Sequence, residues 1–192
     1  MRGNKGKSEV FGSLILALAA SGSAAPATDL CATLGACRKV ESVRVQSPDG
    51  KEVQIPVNDT LPWVVQDNLL LVPGDWIIIK LVESGGELKP ELVRAGTDAQ
   101  APEPVAGEIR FHVQPYKAGT LMMEVLSRRT DTLDYAAIMV TPKGPARTSV
   151  CSLMPGVTVV EMWQQPIRQF AFWSFRPTKE PGCKTLDFPK KK

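Results

Sequence analysis

The sequence predicts an all-β chain folded as an antiparallel β-sandwich, and three observations lead there. Apolar residues recur with a period of two: Ile109, Phe111 and Val113 alternate with Arg110, His112 and Gln114, and Leu121, Met123 and Val125 repeat the pattern. This period fits strands that bury one face and wet the other. Short apolar runs are punctuated by turn-forming segments, among them Ser47-Pro48-Asp49-Gly50, Pro73-Gly74-Asp75 and Thr141-Pro142-Lys143-Gly144. No segment shows a long 3.6-residue apolar period, which a surface helix would need. At 192 residues and 43% hydrophobic composition, the chain is long enough to bury one sizeable core.

Arg2, Lys5 and Lys7 precede an apolar run at residues 10–20, which small residues and Ala25-Pro26-Ala27 follow. A basic start, a short hydrophobic centre and small residues at the cut are the order of a secretory signal. Cleavage is expected after Ala27, giving a leader of residues 1–27 and a single domain of residues 28–192 with its core at about 40–176. The run falls short of the roughly 20 apolar residues of a spanning helix, so no membrane span is expected after cleavage. The expected compartment is the periplasm or the outside of the cell. Leu34-Gly35-Ala36-Cys37 looks like a bacterial lipoprotein box, but residues 21–32 separate it from the apolar run it should adjoin.

Cys31, Cys37, Cys151 and Cys183 all lie beyond the cut, and an even count in an exported chain suggests disulfides. Four cysteines permit three pairings. The expected one is Cys31–Cys37, a small staple, with Cys151–Cys183 tying the last segment back. Closing the longer loop would stabilise the fold by roughly 3–4 kcal/mol in the chain-entropy model.

Residues 39–46 and 51–57 flank Ser47-Pro48-Asp49-Gly50, in which proline presets its own φ and glycine tolerates positive φ, so a β-hairpin is expected. Short apolar runs at 61–65 and 69–72 come next. Residues 76–82 (WIIIKLV) are rich in β-branched side chains and apolar on both faces, which suits a central strand. Residues 84–106 then interrupt the pattern with Gly85, Gly86, Pro90, Pro102 and Pro104, and read as one long polar loop with room for a short strand near 88–93. Loops on a rigid scaffold carry function disproportionately, so Glu87, Glu91, Arg94 and Asp98 are candidate binding residues.

Residues 107–144 organise the chain, with three strand-like runs joined by two turns. The charged tip Arg128-Arg129-Thr130-Asp131-Thr132 makes Arg128 and Arg129 candidate anion contacts. Further strands are expected at 157–163 and 168–176. In the last, alternation places Phe170 and Phe172 on one face and Trp173 and Phe175 on the other. The tail from Pro177 is expected to run over the surface until Cys183 pins it.

About eight to ten short strands separated by turns favour a sandwich, immunoglobulin-like ahead of a barrel. The chain resembles secreted bacterial β-sandwich proteins of unknown function in Lys117-Ala118-Gly119-Thr120-Leu121, in Leu133-Asp134-Tyr135-Ala136 and in the Cys151/Pro155-Gly156/Glu161/Trp163 segment. The resemblance spans residues 40–176 and implies architecture alone.

Chemistry finds little foothold. His112 is the only histidine and would have to be the base of any Ser/His/Asp or Cys/His device. Its place between Phe111 and Val113 puts it on the wet face of a strand. There is no CxxC spacing for zinc, no second histidine for blue copper, no GxSxG elbow and no phosphate loop after Gly85-Gly86. Glu83, Glu87, Glu91, Asp98 and Glu103 crowd the long loop, and a glycosidase would need two of them at fixed separation. Once Arg2, Lys5, Lys7 and Glu9 are set aside, 20 basic and 19 acidic residues remain, a balance that gives nucleic acid no purchase. No catalytic, cofactor or metal residue is named, and no small-molecule ligand is indicated. The expected function is that of an exported, non-catalytic sandwich that binds another protein or serves as an envelope component. The alternative is a carbohydrate-binding or carboxylate-dependent carbohydrate-active protein, by analogy with other sandwiches. Trp63, Trp76, Trp163 and Trp173 separate the two: exposed rings in a row suit a glycan, buried rings a scaffold.

Overall fold

The computed structural model describes residue 31 and residues 36–185 other than 48, 98, 99, 118 and 165. The expected leader and Asp98 lie outside the described residues. In chain order the strands are β1 (Cys37–Gln46), β2 (Glu52–Pro62), β3 (Val64–Val65), β4 (Asn68–Leu71), β5 (Trp76–Ser84), β6 (Glu87–Gly96) and β7 (Glu108–Pro115). There follow β8 (Leu121–Ser127), β9 (Leu133–Thr141), β10 (Gly144–Arg147), β11 (Ser149–Cys151), β12 (Thr158–Trp163), β13 (Gln169–Pro177) and β14 (Cys183–Thr185).

The main hydrogen-bonded path is β10-β9-β13-β6-β5-β7-β8-β12, with β4 beside β13 and β3 beside β4. It narrows to one residue pair, Phe175 with Leu88, where β13 meets β6. On either side of that join the strands face each other as two layers. The ring of Phe111 on β7 lies 5.3 Å from Phe172 on β13 and 5.8 Å from Tyr135 on β9, although β7 pairs with neither strand. Between the layers Ile77, Ile79, Ile109, Phe111, Val113, Met123 and Val125 meet Leu69, Leu71, Leu133, Ala137, Phe170 and Phe172. The fold is therefore the antiparallel sandwich that the period of two implies, open rather than closed into a barrel.

Three local expectations are corrected. The long loop is shorter than residues 84–106, because β6 occupies 87–96. Gly85 and Gly86, with φ of 64° and 82°, form a tight two-residue turn, and Ser84 pairs with Glu87. Pro90 is tolerated in β6 because it pairs with β5 on one side, while the other side meets β13 at a single residue pair. His112 is buried, at 5% exposure, not on a wet face. Residues 103–105 lie over the outer face of β7, with Pro104 buried and Glu103 bonded to Arg110 at 2.8 Å. Phe175 lies in the core with Phe170 and Phe172, because β13 shifts register between Trp173 and Arg176 around Ser174 at φ 57°.

The β1–β2 hairpin forms a separate two-stranded sheet with its own small core of Val40, Val43, Val45, Ile55 and Leu61 against Val72. Arg38 fastens it to the sandwich. Its guanidinium donates to both carboxylate oxygens of Asp75, to the carbonyls of Leu61 and Pro62 at 3.3 Å, and to that of Leu70 at 3.2 Å. It also stacks 3.8 Å from the centre of the Trp63 ring. Desolvation pushes the Asp75 carboxyl up to about 6, against the pull of Arg38 and of the Val72 N–H.

Both disulfides pair as expected, Cys31–Cys37 and Cys151–Cys183. With Cys37 bridged, its sulfur cannot carry a lipid. Cys151 and Cys183 face each other in the β11–β14 pair, and Asp134 reinforces that tie. It accepts Ser152 Oγ at 2.7 Å and the Lys184 ammonium. Burial opposes the Asp134 charge, but the hydrogen bonds from Lys184 and Ser152 outweigh it and hold the carboxyl below its ordinary value.

Two outcomes follow. Arg38→Ala leaves a buried carboxylate without its counterion and should lower the unfolding free energy by about 3–5 kcal/mol in urea titrations. Replacing Arg38 and Asp75 together by leucine should cost much less. A group with a depressed folded pKa stabilises above its unfolded value, about 3.9 for Asp, and loses that contribution as pH falls through the lower folded value. The stability gap between wild type and Asp134→Asn should accordingly be full near neutrality and close as pH drops below about 4. A gap independent of pH would contradict this role.

Candidate functional site

β12 is built from Thr158-Val159-Val160-Glu161-Met162-Trp163, a β-branched and aromatic run that favours a strand. Gly156, at φ 70°, turns the chain into it. All six residues pair with β8, from Thr158 with Leu126 to Trp163 with Leu121. On its other side β12 pairs with no strand among the described residues. Backbone N–H and C=O groups along that side form a template to which another strand can add.

Its inward residues are well anchored. The Trp163 ring lies 4.7 Å from Phe170, and its Nε1–H donates to Thr148 Oγ1 at 2.7 Å. Glu161 accepts the Cys151 N–H at 2.7 Å, and burial pushes its carboxyl upward against that bond. The outward residues are Thr158, Val160 and Met162, and the last two are 49% and 59% exposed. Met154 and Val157 just before the strand, and Tyr116 beside its far end, are also exposed. Tyr116, Lys117, Thr120, Met162, Trp163 and Gln164 line an open groove of about 690 Å³ there.

The opposite end of the sheet is built differently. β10 contains Pro145, which has no N–H to offer, and ends on Arg147. Proline and charge are common devices for blunting an edge. β12 carries neither proline nor an outward charge.

The sequence-predicted site residues are not brought together. Glu87, Glu91 and Arg94 sit along β6, and Glu87 and Arg94 are about 24 Å apart by strand rise. Arg94 donates to Glu108 Oε2 at 3.0 Å. Arg128 pairs with Glu103 at 3.3 Å, and Arg129 grips both oxygens of Asp131 at 2.8 and 2.9 Å. Each of these guanidiniums is thus engaged by a carboxylate of its own chain. His112 lies across from Trp76 on β5 and Glu124 on β8. Burial pulls its pKa down, with Glu124 acting upward and Arg110 downward, so the ring is neutral at pH 7. Trp63 and Trp76 are buried, Trp163 and Trp173 half-buried, and no row of exposed indoles faces solvent. Among the described residues no three His, Cys, Asp or Glu side chains are grouped to hold a metal ion.

The alternation of Thr158, Val160 and Met162 is visible in the sequence, but its position at the end of a sheet is not. That depends on which strands the rest of the chain places beside it. No protein-family model matches the chain, nor does any curated protein sequence or solved structure.

Proposed function

We propose that this protein is an exported, non-catalytic β-sandwich that works by binding a protein partner, which adds an extended strand to the free edge of β12. The observation that carries this reading is the edge of β12, which no strand among the described residues pairs and which holds no outward charge, with Val160 and Met162 outward and an open groove at its end. Main-chain hydrogen bonds would supply affinity and the outward side chains specificity, as in strand addition generally. Two disulfides are consistent with an oxidising, extracytoplasmic compartment. Periplasmic or secreted residence also draws on the basic-then-apolar order of residues 1–27.

A photo-crosslinking side chain placed at Met162 in exporting cells tests the site, with Lys143 on the β9–β10 turn as control. The expected result is a discrete protein adduct from position 162 that is lost when Val160 is changed to proline, and none from position 143. The exported chain should begin near residue 28 and resist alkylation until reduced. Silence at position 162, or equal adducts at both positions, would contradict the reading.

A further inference from the structure

We propose that the strand added to β12 is β12 of a second copy, the two chains pairing antiparallel about a twofold axis at Val160. This rests on the reading of β12 as the docking edge and names its occupant.

The argument is self-complementarity. A twofold contact presents the same patch from both sides, so each feature must meet its match at equal distance from the axis. Before Val160 lie two exposed apolar residues, Met154 and Val157. After it lies the groove lined by Tyr116, Met162 and Trp163. Val157 and Trp163 are each three residues from Val160, about 10 Å along a strand. Antiparallel pairing about Val160 sets Val157 against Trp163 of the second copy, and Thr158 against its Met162. The exposed Val157 of each chain thereby meets Trp163 in the groove wall of the other, twice over.

Charge agrees with this arrangement. The outward face of β12 holds no charged residue to repel its own image. Glu161 turns inward to the Cys151 N–H and would lie opposite Val159 of the second copy, so the two carboxylates are not directly opposed. Lys117, the one charged residue lining the groove, would approach the uncharged stretch Met154-Pro155-Gly156-Val157. At the other end of the main sheet the same pairing is unfavourable, since Pro145 cannot donate across the axis.

The test uses the purified exported chain with both disulfides intact. Sedimentation across a concentration series should show a monomer–dimer equilibrium. Val160→Lys with Met162→Lys should weaken it at least about tenfold, since like charges would then oppose each other across the axis, while leaving thermal unfolding unchanged at dilutions where both proteins are monomeric. As a register check, Val160→Cys should give a disulfide-linked dimer on mild oxidation, whereas Val53→Cys, equally exposed on the β1–β2 hairpin, should not. A monomer at every concentration would overturn the inference, and so would a dimer indifferent to the lysines. If the chain is monomeric yet position 162 still crosslinks to a different protein, the docking edge stands and only its occupant is wrong. If neither dimer nor adduct forms, both fall.

Discussion

Phe111 ties the two layers together, and much of the molecule follows from where it sits. Its ring meets Phe172, Tyr135 and Phe175 across the sandwich, the last at 6.3 Å. Each such pair contributes about 0.5–1.5 kcal/mol beyond the area it buries. Directing Phe111 inward turns Arg110 and His112 to the other face of β7, beside Trp76 and Ile78 of β5. That face holds too much apolar surface to be left wet, and residues 103–105 help to cover it. Glu103 bonds Arg110, and Glu108 accepts both Arg94 and the Val105 N–H. Space beneath is tight: a Cβ on Gly96 would stand 2.6 Å from the Trp76 ring.

Elements that add little to this core are fastened individually. The β1–β2 hairpin depends on Arg38, and the β11–β14 pair on a disulfide and Asp134. These ties matter because isolated two-stranded pieces are marginally stable alone. The covalent ones suit an oxidising compartment, where they persist.

Much of this was legible from residue order. The inward sets Ile109-Phe111-Val113 and Leu121-Met123-Val125, the β1–β2 hairpin, the central strand at residues 76–82 and both disulfides lie where period, turn chemistry and cysteine spacing put them. What escaped the sequence has physical reasons. Pro90 looks like a breaker unless the strand is known to be paired mainly on one side. Ser174 gives no warning that it adopts positive φ and so returns Phe175 to the core. His112 looks wet because alternation says nothing about a segment that comes back to cover a second face. The site itself was the least legible part, since being an edge is a property of the whole topology and not of the six residues that form it.

An edge strand with apolar side chains and open backbone groups is a hazard unless something meets it. The contrast between β12 and the proline-bearing β10 suggests that one end of the sheet is closed to pairing and the other kept open for it. Amide hydrogen exchange measured on concentrated and on highly diluted protein tests this most directly, because it reads the outward amides of β12 themselves. The account expects those amides to be protected in the concentrated sample and to exchange quickly on dilution, with β10 unchanged. Exchange along β12 that is fast and the same at both concentrations would contradict it.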